Sequence, residues 1–196
     1  SGVPFINAGA LNDGHLDEAE FHFITEEKYD ELSAGKIMKG DILYCLRGSL
    51  GKTAIVDTEI KGAISSSLCI LRTKPIVLEK YLFYLLNADV IKKQQDSAEN
   101  GSAQPNLSAA NVMQYMIPFS GTAEQRRIVD RIESLFAKLD EAKEKAQAVV
   151  DGFELRKSAI LHKAFTGELT ERWRKEHGVG LDSWKNRDLK DICQYI

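Results

Sequence analysis

Cysteine is scarce in this 196-residue chain. There are three, Cys45, Cys69 and Cys193, with no C-x-x-C spacing. An odd count at such spacings argues against a disulfide framework and a thiolate metal site. Cys45 and Cys69 fall inside strand-like runs and read as buried thiols, which fits a reducing cytoplasm. The four histidines, His15, His22, His162 and His177, also lack ligand spacing, so no metal is expected. No apolar run approaches the ~18 residues of a membrane span, and the N-terminus has no signal-peptide pattern.

Positive charge is also in short supply. The net charge is -3, which argues mildly against nucleic acid, since a protein held by phosphates alone would be far more basic. The distribution weakens that objection. Residues 1–35 hold one lysine, Lys28, against eight acids, whereas residues 36–121 hold ten Lys or Arg against seven Asp or Glu, a net of +3. DNA binding would then be shared with a more basic partner.

Catalytic patterns are missing too. Gly48-Ser49-Leu50-Gly51-Lys52-Thr53 resembles the end of a nucleotide loop, but Leu46 stands where the first glycine belongs. Thr53 to Val56 reads as a strand, so no helix N-terminus faces a phosphate. The plain reading is a glycine-rich hairpin loop; the functional one is a loop carrying Arg47, Ser49 and Lys52 toward DNA. Ser65-Ser66-Ser67 has no Gly-x-Ser-x-Gly elbow, which leaves a polar strand edge or DNA contacts through Ser66. Gln104-Pro105-Asn106 lies in a polar loop; Gln104 and Asn106 carry the amides that read adenine edges, and are also ordinary loop residues. No catalytic residue is assigned.

What is present is a mixed pattern followed by a long helix. Asn12-Asp13-Gly14 predicts a turn. Thr25 to Ser33 predicts a short helix with Thr25 as its N-cap. Strands are expected at Ile42 to Leu46, Thr53 to Val56, Ala63-Ile64, Leu68 to Leu71 and Tyr115 to Pro118. Leu78 to Gln95 reads as one helix, and Ser108 to Gln114 as another. The irregular mixture favours an α+β class over a doubly wound sheet.

From Thr122 to about Thr166 the signals are helical. Thr122 and Gln125 suggest a capping box, and Gly167 is placed as the C-cap. Apolar residues recur in alternating steps of four and three at Ile128, Ile132, Leu135, Leu139, Ala142, Ala146, Val149 and Phe153, the seam of a coiled coil. The seam slips near Arg156 and resumes at Ile160. A helix of about 45 residues is roughly 67 Å long, too long for the preceding domain to cover, so the stripe calls for a partner. The competing reading is a hairpin folded back at Asp151-Gly152. After the helix, Trp184 to Ile192 predicts a new apolar element, a strand start that needs a surface to pack on.

Together these residues resemble the DNA-specificity subunit of Type I restriction–modification systems. Gly40-Asp41-Ile42-Leu43 with Arg47-Gly48-Ser49-Leu50-Gly51 is similar to the centre of a target-recognition domain. Gln104 to Ser108 resembles the loop before its last helix, and Ile117-Pro118 with Glu124 to Val129 the entry to the conserved spacer helix. Leu155 to Leu161 with Ala164 to Leu169 resembles the end of that helix, and Trp184 with Leu189 and Asp191-Ile192 the opening of a following recognition domain. The resemblance implies a target-recognition domain over 1–121 without its usual opening. A spacer region would follow over 122–178, and the opening of a next domain, swapped onto a partner chain, over 179–196. It further implies double-stranded DNA as ligand, a methyltransferase partner carrying S-adenosylmethionine, a restriction subunit as a further partner, and no cofactor on this chain. The orphan C-terminal element and the seam point to a homodimer through antiparallel helices. The rival reading is an assembly scaffold whose domain binds protein.

Overall fold

A computed structural model describes residues 2–98 and 106–194. The chain divides into two compact units, Ser1–Ser134 and Leu135–Ile196.

The first unit is built around one strand. β5 (Ile42–Cys45) lies between β6 (Thr53–Ile55) and β8 (Leu68–Leu71), antiparallel to both, with Leu43 opposite Ala54 and Ile70. All four β5 residues are buried. Side chains alternate across a strand, so they divide between two cores. Ile42 and Tyr44, with Leu46, pack with Tyr81, Leu85, Ile91, Leu107, Val112 and Val129. Leu43 and Cys45 pack with Ile6, Ala10, Leu11, Ala54 and Val56. Elsewhere β1 (Val3–Ile6) pairs antiparallel with β4 (His22–Ile24) and parallel with β7 (Ala63–Ile64). β2 (Leu11–Asn12) and β3 (His15–Leu16) form a hairpin. Its two turn residues, Asp13 and Gly14, have φ of 48° and 84°, the left-handed pair that a two-residue hairpin requires. Mixed strands and helices match the expected α+β class.

Asp41 explains why β5 begins where it does. It is fully buried. Arg72 holds it with two hydrogen bonds of 2.7 and 2.8 Å, and Asp41 also accepts from the Met38 N–H at 2.8 Å. A buried carboxylate is tolerated only when so paired.

Thr25 caps α1 (Glu26–Glu31), accepting from the Lys28 N–H at 3.2 Å as expected. Three expectations fail in the first unit. The helix over 78–95 is two, α2 (Glu79–Leu86) and α3 (Asp89–Ala98). Asn87 breaks it by sending its side-chain amide to Thr53 Oγ1 and the Phe83 carbonyl, both at 2.8 Å, the local competition that makes Asn a poor helix-interior residue. Tyr115 to Pro118, past the short α4 (Ala109–Val112), is not a strand. The Gln94 amide instead bonds both the N–H and the carbonyl of Met116, at 2.7 and 2.8 Å, leaving that main chain no need of a strand partner. The capping box at Thr122 is also absent. Gly121 supplies the first helix acceptor, to Glu124 and Gln125, and the buried Gln125 side chain instead accepts from the Leu78 N–H at 2.9 Å and donates to the Ile76 and Ser120 carbonyls at 3.0 and 2.7 Å.

α5 (Thr122–Phe165) is one unbroken helix of 44 residues, so the hairpin at Asp151-Gly152 is not formed. Within the first unit, Val129 is buried and Ile128 packs against the β5–α2 core. The start of the expected seam is thus used inside its own domain. In the second unit Leu135, Leu139, Val149, Phe153 and Ile160 are exposed, with Phe153 at 61%, as is Ala146. Gly167, with φ 85°, ends the helix in the left-handed conformation. α6 (Glu171–His177) follows. The expected strand after Trp184 is a four-residue helix, α7 (Leu189–Ile192); a strand without a neighbouring ladder has no partner for its main chain, whereas a helical turn satisfies its own. Among the described residues no helix is long and apolar enough to cross a membrane.

Candidate nucleic-acid interface

The C-terminal end of β5 gathers three loops. Leu46 donates its N–H to the Ser67 carbonyl at 2.8 Å and accepts at its own carbonyl from the Leu107 N–H at 3.0 Å. The serine turn and the segment after residue 105 are therefore both stitched to the same residue. One position on, Arg47 and Asn106 form an antiparallel bridge, and Arg47 Nε donates to Asn106 Oδ1 at 3.3 Å. Arg47, Ser49, Ser66 and Asn106 are all exposed. Four of the six residues singled out for DNA thus lie on loops that meet at one strand end. Gln104 lies outside the described residues.

The β5–β6 loop is tight. The Gly51 N–H donates to the Cys45 carbonyl, and the Cys45 N–H to the Lys52 carbonyl. The Cys45 thiol donates to the Arg47 carbonyl at 3.0 Å. Burial pushes that thiol's pKa up, so it stays a neutral donor. Gly48 (φ 84°) has open space where a Cβ would stand, whereas at Gly51 (φ 73°) a Cβ would run into the Gln95 amide. The first leaves backbone accessible at the loop tip; the second lets α3 close on the loop base. Tyr44 fixes that closure by donating its hydroxyl to Gln95 Oε1 at 3.0 Å.

Lys52 stands slightly apart, half-buried, with Nζ donating to Asn12 Oδ1 at 3.0 Å. Among the described residues neither Arg47 nor Lys52 pairs with a carboxylate, so both charges remain available. A cleft of about 290 Å³ beside the loop is lined by Leu50, Gly51, Leu86, Asn87, Lys92, Gln95 and Asp96. It adds Lys92 to the basic side chains near the site. The sequence signal for it was the pair Lys92-Lys93 on a polar helix face, and for Asn12 there was none beyond its place in a turn. The central signature is itself divided in role: Asp41 belongs to the buried pair with Arg72, and Arg47 to Ser49 are its exposed part.

Serine side chains 65 and 67 hydrogen-bond each other at 2.7 Å. They stabilise the turn that presents Ser66, and among the described residues no acid or histidine hydrogen-bonds to either hydroxyl. Among the described residues no cluster of His, Cys, Asp or Glu could hold a metal. The arrangement offers hydroxyl, amide and guanidinium groups on loops around a rigid strand, which is recognition chemistry.

The profile of the Type I restriction modification DNA specificity domain matches residues 1–150. The chain belongs to that family. It is 28% identical over 179 residues to the Type I restriction enzyme EcoBI specificity subunit of Escherichia coli, covering 90% of this chain and 37% of the relative. It is 22% identical over 184 residues to the EcoKI specificity subunit of Escherichia coli strain K12, covering 90% and 39%. The chain therefore spans about two fifths of these relatives. The fold resembles the HsdS subunit from Thermoanaerobacter tengcongensis, with a TM-score of 0.59 at 22% identity, covering 72% of this chain and 37% of that one. A chain from a structural study of the assembly and conformational transition of the type I R-M system gives 0.64 at 23% identity, covering 82% and 42%.

Proposed function

We propose that this specificity-family chain reads one half of a two-part DNA target within a restriction–modification assembly. The end of β5 is the reading face. The observation that carries this is the convergence of Arg47, Ser49, Ser66 and Asn106 on exposed loops around Leu46. These are the side-chain types that bond base edges and phosphates. Lys52 and Lys92 supply charge nearby, and the net charge of -3 fits a division of the phosphate contacts with a methyltransferase partner. That partner would carry S-adenosylmethionine and the base-modifying chemistry; a restriction subunit would join the same assembly.

The spacer is the exposed part of α5. Leu135, Leu139, Val149, Phe153 and Ile160 are exposed there, and a matching helix of a second recognition segment would bury them. Antiparallel pairing with a second copy of this chain supplies such a helix and sets two reading faces a fixed distance apart.

The test is DNA binding by the complex with its methyltransferase partner, comparing the natural chain with Arg47→Ala/Lys52→Ala. The variant should bind duplex DNA at least about tenfold more weakly, the order expected for two lost charged contacts, with helix pairing intact. Unchanged DNA binding would favour a protein-binding scaffold.

A further inference from the structure

The reading loop leaves the β5–β6 ladder at its last rung, where Tyr44 stands opposite Thr53. Both side chains are buried, Tyr44 fully. Both carry a hydroxyl, and each hydroxyl is met by an amide from the helices beside the sheet. The Tyr44 hydroxyl donates to Oε1 of Gln95 on α3 at 3.0 Å. Nδ2 of Asn87, between α2 and α3, donates to Thr53 Oγ1 at 2.8 Å. The strand entering the loop and the strand leaving it are therefore held by one helical corner. Gln95 lies one turn beyond Ile91, which is fully buried in the core that contains Tyr44. Residues four apart share a helix face, so the packing that seats Ile91 also brings the amide to the loop. Gly51 completes the fit, since a Cβ there would overlap Gln95 Oε1. A phenylalanine at position 44 would fill the core as well. The tyrosine adds a buried hydroxyl that is costly to leave without a partner, and half-buried Gln95 supplies that partner.

We propose that Gln95 is a positioning residue for base recognition: it fixes the base of the reading loop through Tyr44, and so sets how sharply Arg47 and Ser49 discriminate between base pairs. The proposal rests on the function proposed above and deepens it. The loop tip lies about four residues beyond the rung, so at ~3.3 Å per residue a rocking of about 10° at the rung moves the tip by roughly 2 Å. A base-edge hydrogen bond has its best distance near about 2.9 Å and is lost beyond about 3.2 Å, so such a movement breaks it. Attraction to a phosphate falls off only slowly with distance and survives. Freeing the loop therefore lowers selectivity more than affinity.

The experiment uses the full chain in complex with its methyltransferase partner. It measures methyl-transfer rates on a duplex carrying the motif methylated in the source genome, and on duplexes in which each base pair of one half-site is changed in turn. Tyr44→Phe keeps the ring that fills the core and removes only the hydroxyl. Discrimination should fall by about fivefold, the size of one net hydrogen bond, at the base pairs that Arg47→Ala or Ser49→Ala also relaxes and at no others. The salt dependence of binding should stay the same, since no charge changes. Gln95→Leu should act in the same way, because it too leaves Tyr44 without an acceptor. Gln95→Glu keeps the acceptor and adds a negative charge, so it should weaken binding to every duplex and leave discrimination intact. Unchanged discrimination in a folded Tyr44→Phe protein overturns the proposal. An equal fall in rate on every duplex does so too, because it marks a merely structural contact. Should Tyr44→Phe fail to fold, Gln95→Leu against Gln95→Glu decides: an equal loss of discrimination in both overturns the proposal. If neither Arg47→Ala nor Ser49→Ala relaxes any base pair, the reading function itself fails and the proposal falls with it.

Discussion

Arg47 Nε donates to Asn106 Oδ1 at 3.3 Å although 59 positions separate them. The bond ties the tip of the β5–β6 loop to the segment after residue 105, so two loops that diverge in sequence present one surface. The bond also orients the guanidinium without neutralising it.

Asn106 and Lys52 should therefore fail in different ways. Asn106→Ala removes an amide and frees Arg47 without removing a charge. Duplex binding should weaken on the chosen target by roughly 1–3 kcal/mol, the range for a lost base contact, while its dependence on salt stays the same. Lys52→Ala should weaken all duplexes alike and reduce the slope of log affinity against log salt by about one. Filter binding at several salt concentrations separates the two; identical slopes would remove Lys52 from the phosphate contacts.

The Asp41–Arg72 pair should matter for stability and not for DNA. Arg72 is half-exposed and Asp41 fully buried, so removing the arginine strands the carboxylate while removing the carboxylate lets the arginine turn to water. Arg72→Met should cost roughly 3 kcal/mol, the lower end of the range for breaking a buried pair. Urea denaturation measures it; a loss below about 0.5 kcal/mol, as for an exposed pair, would contradict the assignment.

Much of this fold was legible because local chemistry and global packing agree. Asn12-Asp13-Gly14 needed left-handed backbone and obtained it; Thr25 needed an N–H to cap and found Lys28; Gly167 ended the long helix. Arg47 and Ser49 were legible because a glycine-bounded loop between two strands must reach the surface. What stayed hidden depends on long-range polar partners. Gln125 looked like a capping residue from its offset to Thr122, and only the approach of residues 76–78 gives it another role. Gln94 replaced a strand partner for Met116, and Asn87 broke a helix whose apolar spacing continues across it. Ile128 fitted a coiled-coil seam equally well as the domain's own core, since both ask for an apolar side chain at the same step.

Alkaline stability should follow two thiols, that of Cys45, which is buried, and that of Cys69, which the structure leaves half-buried rather than buried as the sequence suggested. Burial pushes Cys69 up to about 11, with the nearby Cys45 adding to the rise, and raises Cys45 as well. Below a thiol's unfolded pKa of ~8.5 both states hold the proton and this contribution is fully present. As the pH rises from there through about 11, the unfolded chain loses its proton first and stability falls. Denaturant midpoints from pH 8 to 11 should decline, and Cys69→Val should flatten the decline. At pH 8 iodoacetamide should label the exposed Cys193 well before the other two; rapid labelling of Cys45 in the native protein would contradict its burial.

The exposed stripe should control association alone. Leu139 and Phe153 are 65% and 61% exposed, so Leu139→Glu/Phe153→Glu has little to disturb in the isolated chain. Sedimentation should show loss of self-association at micromolar concentration, with the melting of the first unit unchanged. A natural chain that sediments as a monomer would remove the second copy as the partner of this helix.

The central claim is that the loops at the end of β5 read one half of a DNA target. The most direct measurement is a methylated-base map of the source genome with the natural gene, with the gene deleted, and with Arg47→Ala. The account predicts a two-part methylated motif that disappears on deletion and is relaxed or lost in the half read by this chain in the Arg47 variant. A motif unchanged in both strains would contradict it.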